Sequence, residues 1–162
     1  MTKNLLPTLA VTLIALGLSV SARGECPANG IAIVVNKSNA TEGLSMAQLR
    51  RLILGDLRNW PDKKAVSLVA PEAQSPAFKC VLSAVVRMTD AEYHRYIANA
   101  EFRGEEPIEV HTAASGPAAA KMVSGTAGAI AIVEASALPA ISPTVRVLRI
   151  NGKQPGEAGY PL

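Results

Sequence analysis

Two serines stand where the chain is predicted to turn into a helix, a position at which a backbone can hold an anion. Gln74-Ser75-Pro76 and Ala114-Ser115-Gly116 each set a serine before a first helical turn. The opening N–H groups of a helix have no intrahelical acceptor, and the aligned peptide dipoles leave positive partial charge there. A hydroxyl at such a start offers an oxyanion one more hydrogen bond. Pro76 and Pro117 each take one donor away. The same serines also read as ordinary N-caps, a common use of serine. Arg58, Arg87 and Arg103 lie near loops or helix ends and are candidate anion clamps or solvated surface charges. Asn36 and Ser38 either edge a cleft or make a polar turn. The candidate ligand set is Gln74, Ser75, Ser115, Gly116, Asn36, Ser38 and Arg87.

Catalytic chemistry finds little to work with. His94 and His111 are the only histidines, and neither has a nucleophile–base arrangement around it in sequence. A small hydrolase would need one of them to meet a nucleophile in space. Neither H-E-x-x-H nor G-x-S-x-G occurs. Gly125-Thr126-Ala127-Gly128 is glycine-rich but precedes a predicted strand, where a phosphate loop must precede a helix. No cofactor and no metal are expected.

The elements that must position these groups follow an export signal. Lys3 gives a positive start, Leu5–Leu18 an apolar run, and Val20-Ser21-Ala22 the small residues of a cleavage site. This pattern predicts a signal peptide over residues 1–22, cleaved after Ala22, and a mature domain over 23–162. The apolar run is shorter than the ~20 residues of a membrane span. Arg23-Gly24-Glu25 before Cys26 does not suit a lipid-attachment site. Export to an oxidising compartment permits a disulfide between Cys26 and Cys80, the only two cysteines; two free thiols are the alternative. Formal charge is +3, and no basic cluster exceeds a pair, which speaks against a nucleic-acid partner.

Strands and helices alternate along the mature chain, which predicts an α/β fold. Ile31–Asn36 and Thr126–Glu134 carry strands apolar on both faces, suited to a sheet covered by helices on each side. Val66–Ala70 is a further strand, and Ile108–Val110 begins a short one. Val145–Ile150 alternates as one strand with Arg146 and Arg149 outside. Ser45 with Gln48 and Thr89 with Glu92 form capping boxes. Leu49, Leu52 and Ile53 line one helix face, with Arg50 and Arg51 off it. Gly55 is placed to end that helix. Phe78, Val81, Leu82, Val85 and Val86 form the face of a second helix, and an alanine-rich helix runs from Ser115 to Gly125.

The order of these pieces resembles a known family. A strand leaves through Asn36; Leu44-Ser45 opens a helix; Leu54-Gly55 and Trp60-Pro61-Asp62 follow. Phe102-Arg103-Gly104 with Pro107, Gly128-Ala129-Ile130, Asn151-Gly152 and Tyr160-Pro161-Leu162 complete the series. The pattern is similar to the phosphate-binding proteins of phosphate ABC transporters, type 2 periplasmic binding proteins, and most to short members with a single lobe. It covers Ile31 to Leu162. The resemblance implies one lobe with a mixed sheet flanked by helices, a periplasmic location, no enzymatic activity, a phosphate or related oxyanion ligand, and ABC transporter membrane subunits or another periplasmic protein as partners. The family's Arg-x-x-Gly-Ser-Gly-Thr phosphate run would fall at Ala70–Ala77, where this chain has APEAQSPA and keeps only Ser75. The Gly-Tyr that usually follows Gly-Ala-Ile is here Ala131-Ile132. A protein-interaction module that kept the fold and lost the ligand is therefore the alternative expectation.

Overall fold

A computed structural model describes residues 26–105 and 108–162. The expected signal peptide, and the Pro107 named with Phe102-Arg103-Gly104, lie outside the described residues.

The sheet is built from the runs that are apolar on both faces. Strand β1 (Ile31–Asn36) pairs antiparallel with β5 (Ala129–Glu134), Ile33 opposite Ile132. On its other side β5 runs parallel to β3 (Ser67–Pro71), which runs parallel to β4 (Glu109–Ala113). With β6 (Val145–Val147) antiparallel to β1, the order is β4-β3-β5-β1-β6. The sheet is mixed, as expected. Its alternating side chains feed two cores. Ile31, Ile33, Leu68, Ile130 and Ile132 face one, with helix α1 (Met46–Ile53), helix α2 (Pro76–Val81) and Tyr93 of helix α3 (Asp90–Ala98). Ala32, Val34, Val69, Ala129 and Ala131 face the other, under helix α4 (Gly116–Gly125) and Ile141 of the short helix α5 (Leu138–Ile141). Small side chains on this second face let α4 lie close to the sheet.

The helix signals hold at atomic level. Ser45 and Gln48 form a capping box on α1, and Thr89 and Glu92 form another on α3. Gly55 follows the last α1 residues with φ +83°, the left-handed step that ends the helix. Ser75 and Ser115 cap α2 and α4. Cys26 and Cys80 are joined in a disulfide, tying the start of the described chain to α2.

Four expectations need correction. Val145–Ile150 is not one strand: β6 stops at Val147, and β7 (Arg149–Ile150) joins a separate parallel ladder with β2 (Gly43–Leu44). The step is made at Leu148, fully buried, whose N–H donates to the Ile33 carbonyl while Arg149 N–H donates to Glu42. Gly43 permits this, since a Cβ there would stand 2.7 Å from the Arg149 carbonyl oxygen. Arg146 is half-buried rather than outside, and its Nη2 donates to the Thr41 carbonyl. Arg50 is likewise half-buried, its Nη1 donating to the Val85 and Val86 carbonyls. Those carbonyls end a π-helical turn, Leu82–Val86, that continues α2 where an unbroken α-helix is expected.

Candidate functional site

The parallel strands β3, β4 and β5 all point the same way, so their carboxyl ends lie side by side. In open α/β sheets ligands lie in the crevice beyond those ends. Here a cleft of about 330 Å³ opens there. Pro71 ends β3, Ala113 ends β4, and Ile132 to Glu134 end β5. The starts of α2 and α4 flank it with Ser75 and Ala77 on one side and Ser115 and Gly116 on the other. The two serines singled out in the sequence are therefore brought to one place.

Local hydrogen bonding leaves each helix start with something to give. Ser75 Oγ accepts from Phe78 N–H at 3.2 Å, and Ser115 Oγ accepts from Ala118 N–H at 3.3 Å. Both serines are thus true N-caps, yet each hydroxyl proton remains free to donate outward. Pro76 and Pro117 have no N–H. The first-turn donors left without a capping or intrahelical acceptor are Ala77 N–H and Gly116 N–H. Gly116 also sets the cleft wall: a Cβ there would stand 2.6 Å from Ala137 Cβ, so only glycine lets the turn after β5 close on α4. No periodicity or motif marks that contact.

The electrostatics carry a second message that sequence reading missed. Glu72 and Glu134 line the cleft, and Ser136 Oγ donates to Glu134 Oε2 at 3.3 Å. Among the described residues lining it there is no lysine or arginine. The arrangement offers hydroxyl and backbone donors together with carboxylate acceptors. It therefore suits a solute that both accepts and donates hydrogen bonds better than one carrying negative charge alone.

The other expected ligand residues lie elsewhere. Gln74 is exposed, and its Nε2 reaches Asp90 Oδ2 at 3.4 Å. Asn36 ends β1, antiparallel to β5, and so sits at the opposite end of the strands from the cleft. Its Nδ2 donates to the Val123 and Ser124 carbonyls at 2.8 and 2.9 Å, closing the C-terminus of α4. Its Oδ1 accepts from both N–H and Oγ of Ser38. Arg58 Nε donates to the Gly55 carbonyl at the end of α1. Arg87 and Arg103 meet, with Arg95, in a separate open groove. His94 and His111 stand on exposed faces, 60% and 42% accessible, against Asp90 and Glu109 of their own elements, and neither lines the cleft. Among the described residues no group of three or more His, Cys, Asp or Glu side chains could hold a metal ion.

Sheet order, two helix-covered faces and a cleft at the strand carboxyl ends define one lobe of a binding-protein fold. Residues 27–154 match the family described as PBP superfamily domain, and the chain belongs to that family. Among solved structures it is similar to an ABC-type phosphate transport receptor from Vibrio cholerae, with 18% identity and a TM-score of 0.60 over 78% of this chain and 48% of that one. It is also similar to PstS from Borrelia burgdorferi, with 10% identity and a TM-score of 0.62 over 77% and 48%. A phosphate binding protein from Stenotrophomonas maltophilia matches with 16% identity and a TM-score of 0.58 over 80% and 41%. At these identities the likeness is one of fold, and the chain spans about half the length of the structures it matches. No curated protein sequence matches it.

Proposed function

We propose that this chain is an exported solute-binding lobe whose cleft takes a small protonated oxyanion, hydrogen phosphate above all, in the service of an ABC transporter or a sensing system of the periplasm. The observation that carries the reading is the convergence of two serine-capped helix starts, Ser75 and Ser115, on one cleft at the carboxyl ends of β3, β4 and β5. Ala77 and Gly116 N–H with the two hydroxyls would hold oxygen atoms of the anion. Glu72 or Glu134 would accept a hydrogen bond from the O–H group that hydrogen phosphate carries and sulfate lacks. Without a cationic side chain, affinity rests on helix-start donors and is modest unless a second surface covers the ion.

The test is a thermal melt of the oxidised mature protein with and without millimolar phosphate, with sulfate as control. Ligand at a hundred times its dissociation constant stabilises by about 2.7 kcal/mol, a shift of several degrees. The expected result is a shift with phosphate and none with sulfate, reduced in Ser75→Ala and Ser115→Ala and retained in Arg87→Ala. Equal melting under all three conditions would overturn the reading.

Two observations favour a second reading. Among the described residues lining it, the cleft carries two carboxylates and no cation, and the altered Ala70–Ala77 stretch keeps one residue of the expected phosphate run. Both fit a lobe that retained its fold as an interaction module. Absence of any solute response together with a defined protein partner would support it.

A further inference from the structure

The groove beside α3 shares no residue with the cleft. It is wide, about 480 Å³, and lined by Arg87, Arg95 and Arg103 with Tyr96 and a single carboxylate, Glu92. Glu92 is already engaged, accepting from Thr89 N–H and Oγ1 as the α3 capping box. Arg103 forms a fixed wall. Its guanidinium lies 4.2 Å over the Tyr96 ring, donates to the Tyr96 carbonyl, and grips Glu105 through Nε and Nη2. Arg87 and Arg95 are exposed and make no ion pair among the described residues. Arg87 closes the π turn with φ +58°, a left-handed backbone in which glycine or asparagine is the unstrained choice. A long cationic side chain is thus held at a position that costs stability and, among the described residues, gains no ion pair there. Strain of this kind marks places where the side chain has work outside the fold. Beside Arg103, Phe102 is 90% accessible, the most exposed large apolar side chain among the described residues.

We infer that this groove is a docking surface for an acidic segment of another protein, with Arg87 and Arg95 pairing its carboxylates and Phe102, the exposed chain neighbour of Arg103, meeting an apolar side chain of the same segment. Two exposed guanidiniums that form no ion pair among the described residues attract an extended acidic chain. They do not enclose a small ion: both side chains are exposed, and among the described residues lining the groove none offers a buried donor. Charge complementarity of this kind sets partner choice and encounter rate, and it weakens with salt. The inference does not depend on whether the cleft holds a solute.

The test uses the oxidised mature protein and a defined probe, a fluorescein-labelled twelve-residue peptide of repeating Glu-Asp-Leu, followed by fluorescence anisotropy at low and physiological salt. The expected result is saturable binding that weakens at least threefold between the two salt conditions. It weakens tenfold or more in Arg87→Gly with Arg95→Ala, and severalfold, with the salt dependence kept, in Phe102→Ala. Arg87→Gly suits the backbone angle, so loss of binding in that variant is not loss of fold, and its melt should equal or exceed that of the parent. Unchanged affinity in the double variant would overturn the inference. Equal binding of a Lys-Leu peptide, or tighter binding of phosphatidylglycerol vesicles than of the peptide, would also overturn it, the latter in favour of a membrane surface.

Discussion

A methyl group added at Gly128 would stand 1.9 Å from the Ala65 carbonyl oxygen, a backbone atom with nowhere to go. The Gly128 carbonyl also accepts from the buried Trp60 Nε1 at 2.8 Å and from Ser67 N–H at 3.3 Å. One glycine thus pins the Trp60 loop to the start of β5. Overpacking against backbone costs about 3 kcal/mol, so Gly128→Ala should lower the melting temperature by about 10 °C. A loss under 2 °C would contradict this account. Tyr93 makes a second residue-scale case. Its hydroxyl donates to the Ile53 carbonyl at 3.0 Å inside the main core, and burial pushes the phenol up to about 12. Burial pushes the Tyr160 phenol up as well. The neutral form is the one the fold favours. Stability is therefore whole below the unfolded phenol's pKa near 10 and falls as pH rises toward the folded value of about 12. Urea midpoints measured from pH 8 to 12 should be flat at first and then decline, with the decline shallower in Tyr93→Phe, which is also weaker at pH 8 by about 1 kcal/mol for the lost hydrogen bond.

At the scale of elements, the end of α2 depends on a residue from α1. The π turn Leu82–Val86 presents carbonyls that its own helix does not satisfy, and Arg50 Nη1 meets two of them at 3.2 and 2.6 Å. Hydrogen bonds from a charged donor contribute about 1.5–3 kcal/mol, so Arg50→Ala should lose about 2 kcal/mol in urea unfolding, with the m-value unchanged. Arg50→Lys, which keeps charge without the planar donor fork, should recover less than half of that. The sequence marks Arg50 only as a residue off the apolar face. Its role comes from the widened turn of another helix, which no local pattern announces. The serine caps are different. Ser75-Pro76, Ser115-Gly116-Pro117 and the two capping boxes are legible because a helix start is a local event, settled by residues within one turn of each other.

For the whole molecule, the disulfide joins positions 54 residues apart and ties the segment before β1 to a helix in the main core. Closing a loop of that length removes unfolded-state entropy worth about 4 kcal/mol. Reduction should therefore lower the melting temperature by roughly 10 °C or more, and Cys26→Ser with Cys80→Ser should match the reduced protein. A reduced protein that melts within 2 °C of the oxidised one would show that the bond adds nothing to the fold. The sequence by itself determined the α/β class, both doubly apolar strands, the starts of α1, α2, α3 and α4, and the two serines. Each of these rests on neighbours within a few positions, where side-chain period and capping chemistry act directly. The tertiary structure alone decided which ends of the strands share a side. That choice put Ser75 and Ser115 in one cleft with Glu72 and Glu134, sent Asn36 and Ser38 to the other end of the strands, and gathered Arg87 with Arg95 and Arg103. It also split Val145–Ile150 between two sheets, because Leu148 gained more from burial in the core than the alternating pattern could offer in one straight strand. Strand direction and order are set by long-range pairing and packing, and a period read along one segment carries no record of its neighbour.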